Sequence, residues 1–202
     1  MCGRVSRVTT VEQVLLLDEV GNRIGLADKA EVHHADTPLH LAFSSYLFDE
    51  QGRTLLTRRA LHKKTWPGVW TNTCCGHPAP GEVMADSVLR RLADELGLPG
   101  ATKLDLVLPR FRYRAVMPNG VVENEMCPVF RGVVTGEPNP NPDEVDSTEW
   151  VPWTDFVESV LDGTRDISPW CAMQVAELVR LGPDPLAWPV ADTQDLPPAA
   201  RP

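Results

Sequence analysis

The sequence predicts a single-domain mixed α/β (α+β) sandwich, on three observations. Short apolar runs of strand length alternate with turn residues, hairpin signals join several of them, and only three stretches carry helical spacing. At 202 residues the chain has room for one core of useful size, and 43% hydrophobic content is enough to fill it. The expected division is an N-terminal arm over 1–12, a body over 13–182 and a proline-rich tail over 183–202.

Val14 to Leu17 is an apolar run closed by Asp18, Gly21 and Asn22, a strand followed by a turn. Leu41 to Phe48 and Thr54 to Thr57 flank Asp49, Glu50, Gln51 and Gly52, so they form a hairpin. Trp66 to Gly81 mixes Gly, Pro, Cys, Thr and His without a period and reads as a loop. From Glu82 to Leu96, Val83, Val88, Leu89, Leu92 and Leu96 recur at helical spacing, and Gly97 supplies the stop. Leu104 to Leu108, Phe111 to Val116 and Val121 to Val134 are strands, the last two joined across Met117 to Gly120. A Pro/Asn loop over 136–142 precedes helical stretches at Trp153 to Leu161 and Pro169 to Leu181. The tail holds six of the 19 prolines, which disfavours regular structure, and Trp188 favours packing it on the body.

The net charge of -9 argues against a nucleic-acid or anionic-membrane partner, so a polyanionic ligand must be met by a local positive cluster. Arg58, Arg59, Lys63 and Lys64, with Arg90 and Arg91, supply such a patch, and Arg110, Arg112 and Arg114 alternate along one strand face. No window approaches the roughly 18 apolar residues of a membrane span, and MCGRVSRVTT lacks the apolar core of a signal peptide, so a soluble cytoplasmic protein is expected. The five cysteines are an odd set without a CxxC pair, neither a disulfide framework nor a zinc finger.

Two groups of residues carry chemistry. Gly76, Glu82 and the run Arg90 to Leu98 resemble the Nudix box, G-x5-E-x7-R-E-U-x-E-E-x-G-U with U apolar. Such a loop and helix align carboxylates that hold divalent cations against a diphosphate. Here Arg91 and Asp94 stand where the pattern has glutamates, which weakens a water-activating role and suggests a cation turned toward phosphate. The resemblance implies a Nudix-like sheet sandwich flanked by helices. Separately, His33, His40 and His77 with Glu123 and Glu125 would make a divalent-metal site of three nitrogens and two oxygens. Glu123 and Glu125 are two apart, so a strand turns both to one face.

The segments around these residues closely resemble type 1 isopentenyl diphosphate isomerase: HxADTPLHLAFSSYLF, TRRALHKKTWPGVWTNTCCGHP, FRYRA, VENEMCPVF and the SPW at Ser168 to Trp170. The likeness runs from about Val14 to Trp170. It implies a catalytic thiol at Cys75, metal ligands at His33, His40, His77, Glu123 and Glu125, and Glu95 holding Mg²⁺ against the diphosphate. It further implies an acid tyrosine at Tyr113, an active-site ring at Trp170, and diphosphate contacts from Lys29, Arg59, Lys63 and Arg91. His34 adjoins His33, but the seven-residue spacing to His40 favours His33. Three imidazoles favour Mn²⁺ or Zn²⁺ at the histidine site. The implied activity interconverts isopentenyl and dimethylallyl diphosphate in isoprenoid biosynthesis, by a monomer or homodimer.

That reaction moves a double bond by protonating C4 and deprotonating C2, which needs a strong oriented acid, a base across the substrate and a dry pocket. Glu125 with Tyr113 suits the acid; Cys75 as a thiolate lowered by nearby cations suits the base; Trp170 and Trp70 could shield the cation. Which group gives and which takes the proton stays open. A Nudix-type diphosphohydrolase and a non-catalytic phosphoprenyl- or metal-binding module are the alternatives.

Overall fold

The computed structural model describes residues 12–98 and 100–201, so the expected arm over 1–12 lies almost wholly outside the described residues. Among the described residues, twelve strands and three α-helices form two sheets with flanking helices. The first sheet runs in the order β2 (Arg23–Asp28), β1 (Gln13–Leu17), β3 (His40–Leu41), β10 (Val122–Met126), β9 (Arg112–Val116). The second runs β12 (Val145–Pro152), β5 (Arg53–Arg59), β4 (Phe43–Phe48), β11 (Val129–Val133), β8 (Lys103–Leu108); β6 (Trp70–Thr71) pairs with β5 and β7 (Cys74–Gly76) with β4.

Two strands pass together from one sheet to the other. The run expected over Leu41 to Phe48 breaks at Ala42 into β3 and β4, and the single strand expected over Val121 to Val134 breaks at Cys127 and Pro128 into β10 and β11. Pro128 has no N–H to give a ladder, which fits a break there. The crossing strands stay parallel: β3 pairs with β10, and β4 with β11. Ala42 N donates to Met126 O at 2.8 Å and Ser44 N to Pro128 O at 3.0 Å, so the backbone ladder continues through the crossing.

Other expectations are corrected in detail. Thr54 pairs with Phe48 at the hairpin, but β5 otherwise pairs with β12 and β6. The loop expected over Trp66 to Gly81 contains β6 and β7, held by partners distant in sequence. Strands β2 and β12 were not expected: β2 is a half-exposed edge and β12 is interrupted by polar residues.

Helix α1 (Met84–Leu96) buries Val88, Leu92 and Leu96 at i, i+4 and i+8 against β7 and β4, and Gly97 closes it at φ 62, its N–H reaching Ala93 O. Helix α2 (Trp153–Leu161) packs on α3 (Pro169–Leu178). α3 begins with Pro169 after the N-cap Ser168, and a 3₁₀ turn extends it to Leu181. The tail has three single 3₁₀ turns and lies on the body. Trp188 is buried against Phe48 and Trp153, Ala191 N donates to Leu106 O, and Ala199 N donates to Gly21 O. No helix among the described residues is long and apolar enough to cross a membrane.

Candidate active site

The crossing places the two groups of chemistry-bearing residues at one cavity of about 750 Å³. One wall belongs to the first sheet. His40 on β3 is in register with Glu125 on β10, and Glu125 with Tyr113 on β9, so imidazole, carboxylate and phenol come from adjacent strands. The opposite wall belongs to the second sheet, where Cys75 on β7 pairs with Ser44 on β4. Of the residues the family resemblance assigns a role, all border this cavity except His40, which is fully buried behind it. Gly76 lets β7 lie close to β4 and α1 behind this wall, since a Cβ there would lie 3.0 Å from the Phe43 ring and 3.1 Å from Arg91.

Three imidazoles converge on one carboxylate oxygen. The Nε2 atoms of His77, His40 and His33 lie 3.2, 3.4 and 4.0 Å from Glu125 Oε1. One donor atom from each of His33, His40, His77 and Glu125 lies within 4.8 Å of all the others. His40 Nδ1 sits 2.9 Å from Pro38 O, so in the neutral ring an N–H on Nδ1 satisfies that carbonyl and leaves Nε2 available to a cation. The buried His33 Nε2 and His40 Nε2 have no hydrogen-bond partner. Buried imidazole nitrogens left without a partner beside a carboxylate are costly, and a cation among them would satisfy all four groups, so the donor set fits a divalent metal.

The expected five-ligand set is narrowed, because Glu123 stands outside this group. Two residues along a strand separate side chains by about 6.7 Å, and the Tyr113 hydroxyl occupies the space between, 2.8 Å from Glu125 Oε2 and 3.0 Å from Glu123 Oε2. Burial would raise the Glu125 carboxyl, but the three imidazoles override it and hold it well below the usual range. Glu123 is raised, by burial and then by the charge on Glu125. Burial pushes His77 down to about 4, against the pull of Glu125, so its ring is neutral near pH 7.

Cys75 differs from expectation. Instead of a thiol lowered by cations, burial pushes it up to about 12, with hydrogen bonds from its neighbours too weak to offset the loss of water. Its sulfur lies 3.3 Å from Ser44 Oγ and 3.2 Å from Asn72 Oδ1. Cys74 is also raised by burial and points into the core.

The cationic side of the cavity is Lys29, Arg59, Lys63, Lys64 and Arg91. Arg91 Nε donates to Glu95 Oε1 at 2.9 Å and its Nη2 lies 3.3 Å from Glu144, which also pairs with Lys63. Lys29 pairs with Glu12 at 2.6 Å, and Arg59 donates to Thr65 O. Burial raises the Glu95 carboxyl despite Arg91. Other members of the expected patch lie elsewhere: Arg58 pairs with Asp146, Arg90 with Glu82, and Arg112 with Glu19 on the exposed face it shares with Arg114. Trp70 does not border the cavity. Glu144, Asn72 and Ser44 were not anticipated; only side-chain contacts brought together by the fold reveal them.

Residues 38–171 match the NUDIX domain family. The chain is 63% identical over 190 residues to the isopentenyl-diphosphate Delta-isomerase of Saccharopolyspora erythraea, covering 94% of this chain and 97% of that one. It is 60% identical to the protein of that name from Mycolicibacterium vanbaalenii, covering 86% and 94% of the two chains. Among solved structures, a Deinococcus radiodurans protein superposes with a TM-score of 0.63 at 17% identity, covering 82% of this chain and 98% of that one. A MutT protein from Methanosarcina mazei superposes with a TM-score of 0.58 at 20% identity, covering 72% and 96%. At such identities these two speak to the fold alone. With a NUDIX domain over most of its length and near-full-length relatives above half identity, the chain belongs to the isopentenyl-diphosphate Delta-isomerase family.

Proposed function

We propose that this chain interconverts isopentenyl diphosphate and dimethylallyl diphosphate in the cytoplasm, with residues 13–182 as the catalytic body and 183–202 as a packed tail. The observation that carries the reading is that Cys75, from the second sheet, and the Glu125–Tyr113 pair, from the first, line one cavity together with a group of cationic side chains. A hydrocarbon end fits between the two proton-handling groups, while Lys29, Arg59, Lys63 and Arg91 face the diphosphate. Firm anchoring of that end holds the alkene for proton transfer.

In the direction of dimethylallyl product, the Cys75 sulfur gives its proton to C4 and the Glu125 carboxylate takes one from C2. The double bond thereby moves from C3–C4 to C2–C3, with no net change in the substrate's proton count. The neutral thiol and ionised carboxylate of the free protein support this direction, one of the two that the sequence leaves open. Tyr113 donates to Glu125 and steadies it through the charge change. The Trp170 ring lines the cavity, where its π face would stabilise a tertiary cation while excluding water. His33, His40, His77 and Glu125 would hold a divalent ion, Mn²⁺ or Zn²⁺, whose positive charge would tune the carboxyl, and Glu95 would hold Mg²⁺, which would help neutralise the diphosphate.

The test is incubation with isopentenyl diphosphate in D₂O, read by NMR of the prenyl chain. An isomerase yields dimethylallyl diphosphate with deuterium in the methyl group derived from C4. Phosphate release without allylic product refutes the reading.

A further inference from the structure

Asn72 lies between β6 and β7, fully buried, and touches two residues of the proposed machinery with one atom. Its Oδ1 accepts from Trp170 Nε1 at 3.2 Å and is 3.2 Å from Cys75 Sγ, and it is held in place by the Thr71 hydroxyl, which donates to it at 2.9 Å. Its orientation is fixed from behind. Both Nδ2 hydrogens are committed to main-chain oxygens, of Ser45 at 3.0 Å and Cys74 at 3.1 Å, so the amide cannot flip without burying two unpaired carbonyls. Its own backbone carbonyl accepts from Thr57 Oγ1 at 3.0 Å. The helix that carries Trp170 is tied to the same segment, since Ser168 N donates to Trp70 O at 2.8 Å.

We propose that Asn72 is a positioning residue that locks the Cys75 side chain and the Trp170 indole onto a single oxygen, setting the place of the sulfur relative to the ring that faces the hydrocarbon. This rests on the isomerase reading of the same cavity and adds a residue that does not itself border it. Two separate elements, β7 and α3, supply the groups, and neither fixes the other by direct bonding. A shared acceptor converts two independent rotamers into one arrangement. Ser44 touches the sulfur on its other side: Ser44 Oγ accepts from Gln174 Nε2 at 2.8 Å and lies 3.3 Å from both Cys75 Sγ and Cys127 Sγ.

Asn72→Ala tests the kinetic consequence. Loss of alignment by about an ångström costs roughly a hundredfold in turnover, so kcat falls about 100-fold while KM changes less than threefold and bound metal is retained. Unchanged kcat in a folded variant overturns the proposal, as does a parallel loss of substrate affinity or metal. A second measurement needs no change at Asn72. In protein labelled with ¹⁵N at its tryptophan indoles, Cys75→Ala removes one donor from Oδ1, and the Trp170 Nε1–H resonance moves while that of Trp188, bonded to Gly182 O, stays. A stationary Trp170 resonance overturns the shared-oxygen arrangement even if Asn72→Ala does not fold. If the unaltered protein converts no isopentenyl diphosphate, the isomerase reading fails; the resonance comparison still decides whether one oxygen couples the two groups.

Discussion

Thiol–disulfide exchange at Cys75 with a small neutral disulfide, followed across a range of pH in metal-free protein, tests the electrostatics of the cavity. With the thiol at about 12, its thiolate fraction at pH 8 is about 10⁻⁴, against about 0.2 for an ordinary thiol near 8.5. A higher pKa makes the surviving thiolate a better nucleophile, with a Brønsted slope of about 0.45, which returns roughly 40-fold of the loss. The net expectation is exchange roughly 50-fold slower than for free cysteine at pH 8. Half-burial also slows access, so the diagnostic quantity is the shape of the profile. Reactivity requires the deprotonated form and is lost below the pKa, so the rate should climb about tenfold per pH unit through pH 10 without levelling. Peptide mass spectrometry isolates Cys75 from Cys2, outside the described residues, and from the buried Cys74, Cys127 and Cys171. A plateau below pH 9 would refute burial as the dominant influence and return Cys75 to the role of a resting thiolate.

Three further outcomes follow from the same contacts. His40→Ala should weaken Mn²⁺ or Zn²⁺ binding by about a hundredfold by calorimetry, with the far-UV circular dichroism retained; equal affinity would remove His40 from the ligand set. The bidentate Glu82–Arg90 pair holds Glu82 at about 2, so its stabilisation is full above about pH 4.5 and lost as pH falls toward 2. After discounting for solvent screening, Glu82→Gln should lose about 1 kcal/mol in urea unfolding at pH 7, and the difference should vanish near pH 2. Trp188→Ala removes a buried ring wedged against Phe48 and Trp153 and should destabilise by roughly 3–5 kcal/mol in the same assay; under 1 kcal/mol would mean that the tail contributes little to the body.

How far the sequence was legible depended on whether a signal was local. Helix α1 could be read from Val88, Leu92 and Leu96 because one apolar stripe and one glycine stop define it within the segment. Strand β2 could not, since an edge strand needs little apolar content; β6 and β7 hide inside what looks like a loop because their stability comes from β5 and β4. The break at Pro128 was readable in principle from its missing donor. Glu125 and the histidines stood out by residue type and spacing. Asn72, Ser44 and Glu144 did not, because an amide, a hydroxyl and a surface acid are ordinary until tertiary contacts select them. The state of Cys75 was misread for a related reason: its neighbouring arginines are visible in sequence, whereas the desolvation that outweighs them is a property of the assembled wall.

The paired passage of β3–β4 and β10–β11 from sheet to sheet has a consequence for how this scaffold tolerates change. The two faces that grip a substrate are joined by covalent spans of one residue, Ala42, and two, Cys127 and Pro128, so the gape of the cleft is gauged by main chain instead of by adjustable side chains. Insertions should be absorbed readily at the solvent-facing bends, while lengthening either span by a single residue would throw metal and sulfur out of step.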